Sequence, residues 1–227
     1  MQDIIRAFNI TGTEIKLSGG QGTSIKVGDY VLKPVIDSRY ANWCMSVLDK
    51  LSPKGYRISK PIRSIDCNYV YNNYLCTRFE VGYEKDGLID EKLEVSKAFQ
   101  SDLKGRSFDD IPYSDDPWSN AHRVVWHERK LPEEMYQSSK AIVESLLMRL
   151  FKGSRNSGQI IHSDLGGNIT FDDLLEPLII EFSPTIGTRE YSDAIMVCDQ
   201  IAWSNVELEY IKKYLTNRIF YEWYCSD

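Results

Sequence analysis

Residues 160–184 read IIHSDLGGNITFDDLLEPLIIEFSP, and this stretch decides the predicted fold. Two short apolar runs, Asn168–Phe171 and Leu178–Phe182, flank a polar turn, which is the pattern of a β-hairpin. A hairpin is expected to bring Asp164, Asn168 and Glu181 near one another. Two carboxylates and an amide at strand ends can hold a divalent cation and orient a hydroxyl group, and phosphoryl transfer needs both.

The composition is that of an ordinary globular protein. Of the 227 residues 42% are hydrophobic, enough for one large domain or for two lobes that share a cleft. With 27 basic and 33 acidic residues the net charge is −6, so neither nucleic acid nor an anionic membrane is an expected partner. No apolar run approaches the ~20 residues of a membrane span, and the start lacks an apolar signal segment. The five cysteines show no zinc-type spacing. These features predict a cytoplasmic protein with reduced thiols.

A glycine-rich loop joins the first two predicted strands. Glu14–Leu17 and Ser24–Val27 flank the sequence SGGQGT, residues 18–23. The backbone N–H groups of such a loop can approach an anion, although a tight turn without a ligand has the same pattern. A Walker-type phosphate loop is excluded, because no lysine follows the glycines and the next segment is strand-like.

The third predicted strand, Tyr30–Val35, carries Lys33 inside an apolar run. Such a lysine either extends along a sheet edge or points into a cleft. The preceding glycine-rich hairpin favours the cleft, since kinase-like folds bind phosphates with a lysine on the third strand. The helix predicted over residues 37–51 carries Asp49, which could pair with Lys33 or be a solvated surface acid.

Two further strands, Tyr56–Ser64 and Tyr69–Phe79, complete a predicted five-stranded antiparallel sheet. The boundary between the lobes is placed after residue 81, giving an N-terminal nucleotide-binding lobe over 1–81 and a C-terminal catalytic and substrate lobe over 82–227. In a nucleotide-binding arrangement, the adenine edge would face backbone groups just before this boundary, at Cys76, Thr77, Arg78 and Phe79.

The second half of the chain is predicted to be mainly helical. Helices are expected over 88–104, 121–129 and 132–152, and the last of these should be the buried spine of the C-terminal lobe. A final helix is expected after a capping box at Ser204 and Glu207. Asp199, inside an apolar helical segment, is assigned a structural role.

In their order along the chain these segments resemble the aminoglycoside phosphotransferase branch of the protein-kinase-like fold. The resemblance spans nearly the whole chain, from the glycine-rich hairpin and Lys33 through the segment at 76–79 to His162-Ser163-Asp164-Leu165, Asn168 and Glu181-Phe182-Ser183. It is greatest to a bacterial subgroup of unassigned substrate. It implies an α+β, two-lobed fold and an ATP-dependent (or GTP-dependent) phosphotransferase acting on a hydroxyl of an unidentified small-molecule acceptor.

The resemblance also implies residue roles. Asp164 would orient or accept the proton of the acceptor hydroxyl, and Asn168 and Glu181 would hold Mg²⁺. Lys33 would contact the α- and β-phosphates. The remaining nucleotide-binding residues it implies are Gly19, Gly20, Gln21, Gly22 and Thr23 in the loop, the helix acid Asp49, and Cys76, Thr77, Arg78 and Phe79 beside adenine.

Two departures from the kinase pattern leave an alternative open. Only three residues separate Asp164 from Asn168, where the kinase pattern has four. Glu181 stands where the fold normally has aspartate. These departures favour a nucleotide-binding pseudokinase or regulator, whereas the presence of Lys33, Asp164 and Asn168 together favours an enzyme.

Overall fold

The computed structural model describes residues 1–17, 22–106, 111–112, 115–126, 128–150, 158–204 and 207. The chain forms two compact units. The first consists of Met1–Lys85, Asp109–Pro112 and Gly167–Ser183, and the second of Asp86–Phe108, Tyr113–Gly166 and Pro184–Asp227. The first break lies four residues after the predicted lobe boundary, and a separate later segment, Gly167–Ser183, returns to the first unit. The functions assigned to the two lobes stay predictions.

The first unit contains an antiparallel sheet. Its path of five strands has the order β1-β2-β3-β7-β5, and a sixth short strand, β6, pairs with β7. The strands are β1 (Glu14–Lys16), β2 (Ile25–Val27), β3 (Tyr30–Pro34), β5 (Pro61–Ile62), β6 (Val70–Tyr71) and β7 (Tyr74–Arg78). The turn between β2 and β3 requires Gly28, whose φ is +57° and whose added Cβ would lie 2.4 Å from the Thr11 carbonyl oxygen. The predicted sheet is therefore present, but the strand predicted over Tyr69–Phe79 is wrong as a single element, because a turn at Asn72 and Asn73 divides it into β6 and β7.

One face of this sheet is covered by α1 (Gln2–Ala7), a helix too short for its periodicity to be recognised in the sequence. A buried cluster joins it to the strands: Ile4, Ile5, Phe8, Ile10, Val27, Leu32 and Cys76. Because side chains alternate along a strand, burying Leu32 against α1 directs Lys33 to the opposite face.

The helix predicted to follow the third strand is α2 (Ser38–Leu48). The Asp37 carboxylate caps it by accepting a hydrogen bond from the Tyr40 N–H at 2.9 Å. Its buried face consists of Ala41, Cys44, Met45, Val47 and Leu48. The helix ends at Leu48, so Asp49 is its C-cap residue.

The predicted strand Tyr56–Ser64 is wrong as a single element. It divides into β5 and β4 (Arg57–Ile58), and β4 runs parallel to β10 (Leu178–Ile179) in a second sheet. Pro61 starts β5 without a backbone N–H donor, and the Arg57 N–H donates to the Pro177 carbonyl at 2.7 Å. β10 pairs antiparallel with β9 (Ile169–Thr170), which confirms the hairpin predicted at 168–182.

The second unit is built around two helices and a two-stranded sheet. Its elements are α3 (Ile89–Leu103), α4 (Pro117–Val125), α5 (Gln137–Leu150), β8 (Gln159–His162), β11 (Pro184–Gly187) and α6 (Arg189–Trp203). β8 and β11 are antiparallel, with His162 opposite Pro184. Phe99 and Leu103 of α3 and Met196 of α6 are fully buried, so α3 and α6 form the core of this unit.

The prediction that the helix before the catalytic segment is the buried spine is wrong. In α5, Ile142 is 63% exposed and Met148 79% exposed, whereas Phe99 of α3 is 0% exposed. Helical spacing identifies an apolar face but not the element that covers it. The predicted last helix lies outside the described residues, except for Ser204, which is the C-cap residue of α6, and Glu207. Within the described part of the chain, no helix combines the length and apolarity needed to cross a membrane.

Candidate active site

The third-strand lysine of the first unit forms an ion pair with the glutamate that follows the hairpin. The Lys33 ammonium donates to the Glu181 carboxylate, and the two side chains are 37% and 42% exposed. Lys33 lies on the sheet face opposite α1, as the alternation of β3 requires. The structure therefore brings together the two predicted site residues of opposite charge in this unit.

Asp49 has partners other than the predicted one. Its carboxylate accepts a hydrogen bond from the Tyr69 hydroxyl at 2.6 Å and lies 3.4 Å from the Arg63 guanidinium. The expected pairing of Lys33 with this helix acid is therefore replaced by the pairing with Glu181. The sequence places Asp49 one residue past the end of α2, where its side chain reaches the β5–β6 segment instead.

Asn168 and Glu181 flank the open end of the β9–β10 hairpin. The Ile180 N–H donates to the Asn168 carbonyl at 3.1 Å, so the ladder continues one residue beyond β9 and places Glu181 next along the chain. An amide oxygen and a carboxylate are ligands that suit Mg²⁺, which commonly takes its other ligands from phosphates and water. No group of three or more His, Cys, Asp or Glu side chains forms a metal site among the described residues.

The hairpin is tied to the segment that follows β7. Tyr83 and Phe171 exchange backbone hydrogen bonds of 2.8 and 2.9 Å. The Arg57 guanidinium donates to the Glu80 carboxylate at 3.0 Å and to the Val81 carbonyl at 2.9 Å. Sequence reasoning missed Arg57 and Tyr83, because neither belongs to a recognisable local pattern.

The predicted adenine segment has part of its backbone already paired. The Arg78 N–H donates to the Lys60 carbonyl and the Phe79 N–H to the Asp29 carbonyl, both at 2.8 Å. An adenine ring would have to form its hydrogen bonds with other backbone groups of residues 76–79. Cys76 is buried in the α1 core, and Thr77 lies opposite Val31, on the face that carries Lys33.

A second lysine shares the Lys33 face of the sheet. Lys26 lies opposite Val31, and its ammonium is 3.6 Å from the centroid of the Phe79 ring, a cation–π contact. The alternation of side chains along β2 could have predicted that Lys26 lies on this face. In the neighbouring glycine-rich loop, Gly22 and Thr23 are described and Gly22 has a φ of +64°. Gly19, Gly20 and Gln21 lie outside the described residues.

The predicted catalytic base lies in the second unit. Asp164 follows β8, its side chain is exposed, and its backbone N–H donates to Nδ1 of His162 at 3.0 Å. His162 is fully buried, with Phe99 in an edge-to-face arrangement at 5.8 Å. Because Nδ1 accepts this bond, the neutral ring carries its proton on Nε2. The histidine is thus a buried support for the backbone at Asp164.

Asp199 of α6 lies close to the Asp164 segment. Burial, followed by the charge of Asp164, raises the pKa of Asp199 to about 6. A Cβ added to Gly166 would lie 3.0 Å from the Asp199 Cβ, so the glycine permits close packing of the segment on α6. Arg189, at the start of α6, contacts the Asp193 carboxylate at 3.5 Å.

Comparison with solved structures identifies proteins of the same fold. The complex of gentamicin with the aminoglycoside phosphotransferase APH(2'')-IIa matches with a TM-score of 0.54 at 12% identity, covering 84% of this chain and 71% of that chain. Its ternary complex with streptomycin and ATP gives 0.51 at 15% identity, covering 84% and 72%. The choline kinase LicA from Streptococcus pneumoniae gives 0.60 at 13% identity, covering 100% and 79%. No protein-family model and no curated protein matches the chain. The predicted protein-kinase-like α+β fold is confirmed.

Proposed function

We propose that this chain, with its protein-kinase-like fold, is an ATP-dependent phosphotransferase that moves the γ-phosphate to a hydroxyl group of a small molecule. The main observation behind the proposal is the Lys33–Glu181 ion pair. It brings a cation suited to phosphate next to a carboxylate suited to a metal. The structural neighbours are small-molecule kinases, which supports phosphoryl transfer as the reaction class.

The residues of the first unit bind and orient the nucleotide. Lys33 places a positive charge against the α- and β-phosphates, and Asn168 and Glu181 would hold Mg²⁺ through their oxygen atoms. When bound, the metal would neutralise charge that develops on the phosphates. To contact the metal, Glu181 would have to leave its contact with Lys33. Its extra methylene, compared with aspartate, gives it the reach for either partner.

Asp164 of the second unit accepts or orients the proton of the acceptor hydroxyl. Asp164 is an exposed residue, and its backbone N–H donates to the buried His162. Phosphoryl transfer asks a protein mainly for positioning and charge stabilisation, so a fixed backbone at the base is a direct contribution to the rate.

The acceptor is not assigned to a chemical class. A cationic acceptor, such as those named for the structural neighbours, would need an acidic pocket. Asp116 is used as the cap of α4, and Asp115 accepts from Arg129 at 3.3 Å and from Asn120 at 3.1 Å. Asp109 and Asp110 lie outside the described residues. Nucleoside and protein acceptors remain alternatives.

A second candidate function is that of a pseudokinase or regulator that binds Mg·ATP without efficient transfer. The specific observations in its favour are the glutamate at position 181 in place of aspartate and the short segment between Asp164 and Asn168. A carboxylate displaced by about one C–C bond can cost ~100-fold in rate.

The two candidates differ in transfer, and one experiment separates them. The protein is incubated with Mg·[γ-³²P]ATP and fractionated metabolites, and labelled products are followed for the wild type, Asp164→Asn and the control Asp66→Asn, an exposed aspartate of the first unit. Transfer by the wild type and the control, with loss in Asp164→Asn, is expected.

Equal transfer by all three proteins would remove Asp164 from the mechanism. Thermal stabilisation by Mg·ATP without transfer to any fraction or to water would support the regulator.

A further inference from the structure

The segment that carries Asp164 is anchored at its start by side chains of two helices. The Oε1 atom of Gln100, on α3, accepts from the His162 N–H at 3.3 Å. The Ser192 hydroxyl, on α6, donates to the His162 carbonyl and accepts from Nε2 of Gln100 at 2.8 Å. All three residues are buried. The backbone N–H and the carbonyl of His162, two residues before Asp164, are therefore both hydrogen-bonded to side chains of α3 and α6.

A second anchor holds the end of the same segment. Nζ of Lys92, on α3, donates to the Gly166 carbonyl at 3.0 Å and to Oε1 of Gln200 at 2.7 Å. Nε2 of Gln200, on α6, donates to the same carbonyl at 3.0 Å. Lys92 is 4% exposed and Gln200 3% exposed. One peptide oxygen thus receives two buried donors, one of them charged.

The two anchors form one polar seam between antiparallel helices. Lys92 and Gln100 are eight residues apart on α3, as are Ser192 and Gln200 on α6, which is about 12 Å along each axis. Between the anchors the Ser96 hydroxyl donates to the Asp193 carboxylate at 2.6 Å. The seam fixes both ends of the residue 162–166 segment against a rigid pair of helices.

Burying a lysine at this position costs more free energy than burying an apolar side chain would, so filling space does not by itself account for Lys92. Removing an ammonium group from water carries a large penalty, and an apolar side chain of similar volume packs between helices without it. The Lys92 ammonium donates a hydrogen bond to the Gly166 carbonyl, in the segment that carries Asp164. A charge-assisted hydrogen bond is shorter and stronger than a neutral one, and it limits the movement of its acceptor.

We propose that Lys92 is a positioning residue for phosphoryl transfer: with Gln200 it fixes the Gly166 peptide and thereby the place of the Asp164 carboxylate. The role rests on the proposed function. Gly166 is suited to it, because a Cβ there would lie 3.0 Å from the Asp199 Cβ and 3.5 Å from Nε2 of Gln200. Lys92 contacts the backbone of the segment and acts on the reaction only through it.

The test compares Lys92→Met with Lys97→Met, a control on the same helix whose side chain is 62% exposed. Amide hydrogen exchange is measured by mass spectrometry on full-length protein, and Mg·ATP turnover is measured with water as the acceptor. In Lys92→Met, protection of residues 162–168 is expected to fall about tenfold while α3 and residues 159–161 of β8 keep theirs. The kcat for ATP is expected to fall ~10-fold to 100-fold with KM unchanged. Lys97→Met should match the wild type in both measurements.

A purely structural role has a different signature. Loss of protection spread evenly over α3 and α6, or unchanged protection of 162–168, would overturn the proposal, as would a lower kcat accompanied by a matching rise in KM. If Lys92→Met does not fold, Lys92→Gln is decided by the same criteria, since it keeps a polar side chain and removes the ammonium that donates to Gly166.

The hydrogen-exchange arm reports on the anchor whether or not ATP is consumed. Failure of the proposed function would instead appear as wild-type protein without transfer to any acceptor.

Discussion

Lys33 and Glu181 are 148 residues apart in the sequence and form an ion pair in the first unit. Both side chains are more than one-third exposed, and ion pairs in such settings contribute ~0–1 kcal/mol to folding. The pair therefore has little value as a stabilising contact. Its members are a cation suited to phosphate and a carboxylate suited to a metal, each able to exchange its present partner for a ligand.

Replacing Lys33 should weaken nucleotide binding much more than folding. In Lys33→Met, the Kd for Mg·ATP is expected to rise at least about tenfold, because a hydrogen bond to a charged group is worth ~1.5–3 kcal/mol. Isothermal titration calorimetry measures the affinity. Lys54→Met, at an exposed position between α2 and β4, is the control and should bind like the wild type. Equal affinities in the two variants would mean that Lys33 is not a phosphate ligand.

Shortening Glu181 tests whether its length limits the reaction. Glu181→Asp keeps the charge, restores the residue usual for this fold and withdraws the carboxylate from Lys33. We expect ATP turnover to rise by up to ~100-fold, the scale associated with a displacement near 1 Å. Glu181→Gln, which removes the charge, should lower turnover and the apparent affinity for Mg²⁺. A fall in turnover in both variants would show that this site is adapted to glutamate.

Gly82 is expected to be essential to the contact between the post-β7 segment and the hairpin. A Cβ at this position would lie 2.3 Å from Oγ1 and 3.0 Å from Cβ of Thr170, whose side chain is buried. Gly82→Ala should therefore lower the free energy of unfolding by ~1–3 kcal/mol, the usual cost of overpacking. Chemical denaturation measures it. Adding Thr170→Ala should recover part of the loss.

Gly167→Ala is the matched control for that experiment, because a Cβ there meets nothing within 4 Å. If both alanine variants were equally stable, the close approach at Gly82 would have no energetic consequence.

Titration of Asp193, in the second unit, should make the free energy of unfolding depend on pH. Burial raises its pKa to about 6, although the Ser96 hydroxyl and Arg189 lower it in part. A carboxyl whose folded pKa exceeds its unfolded value stabilises the protein below the unfolded pKa of 3.8, and this contribution is lost as the pH rises through about 6. Asp193→Asn should thus match the wild type below the unfolded pKa and be about 3 kcal/mol more stable at neutral pH.

Urea denaturation at several pH values measures the difference between the two proteins. Glu91→Gln, an exposed side chain of α3, is the control and should show no such trend. A stability difference that is constant with pH would exclude Asp193 as the titrating group.

Local sequence patterns correctly predicted much of the architecture and identified several candidate site residues. The hairpin at 168–182, the strand of Lys33 and the Asp37 cap all depend on residues within a few positions of one another. Such features follow from side-chain alternation, capping chemistry and turn geometry, which act over short distances along the chain.

Contacts between distant residues decided what local patterns could not. Lys33 could have met Asp49 or Glu181, and only the pairing of β10 with β4 and β9 in the first unit selects Glu181 over the helix acid. The spacing of α5 predicted an apolar face, yet α3 is the helix buried against α6. Both outcomes depend on packing between segments that are far apart in sequence.

The sequence by itself determined which residues could bind phosphate, metal and a hydroxyl proton, because those capacities belong to the side chains. The tertiary structure alone decided which of them meet and what supports them. The buried Lys92 is the clearest case: in the sequence it is one lysine among charged neighbours of a helix, and only the packing of α3 on α6 turns its ammonium toward the Gly166 carbonyl. The physical reason is that the partner of a polar group is chosen by burial, which the neighbouring residues in the chain do not specify.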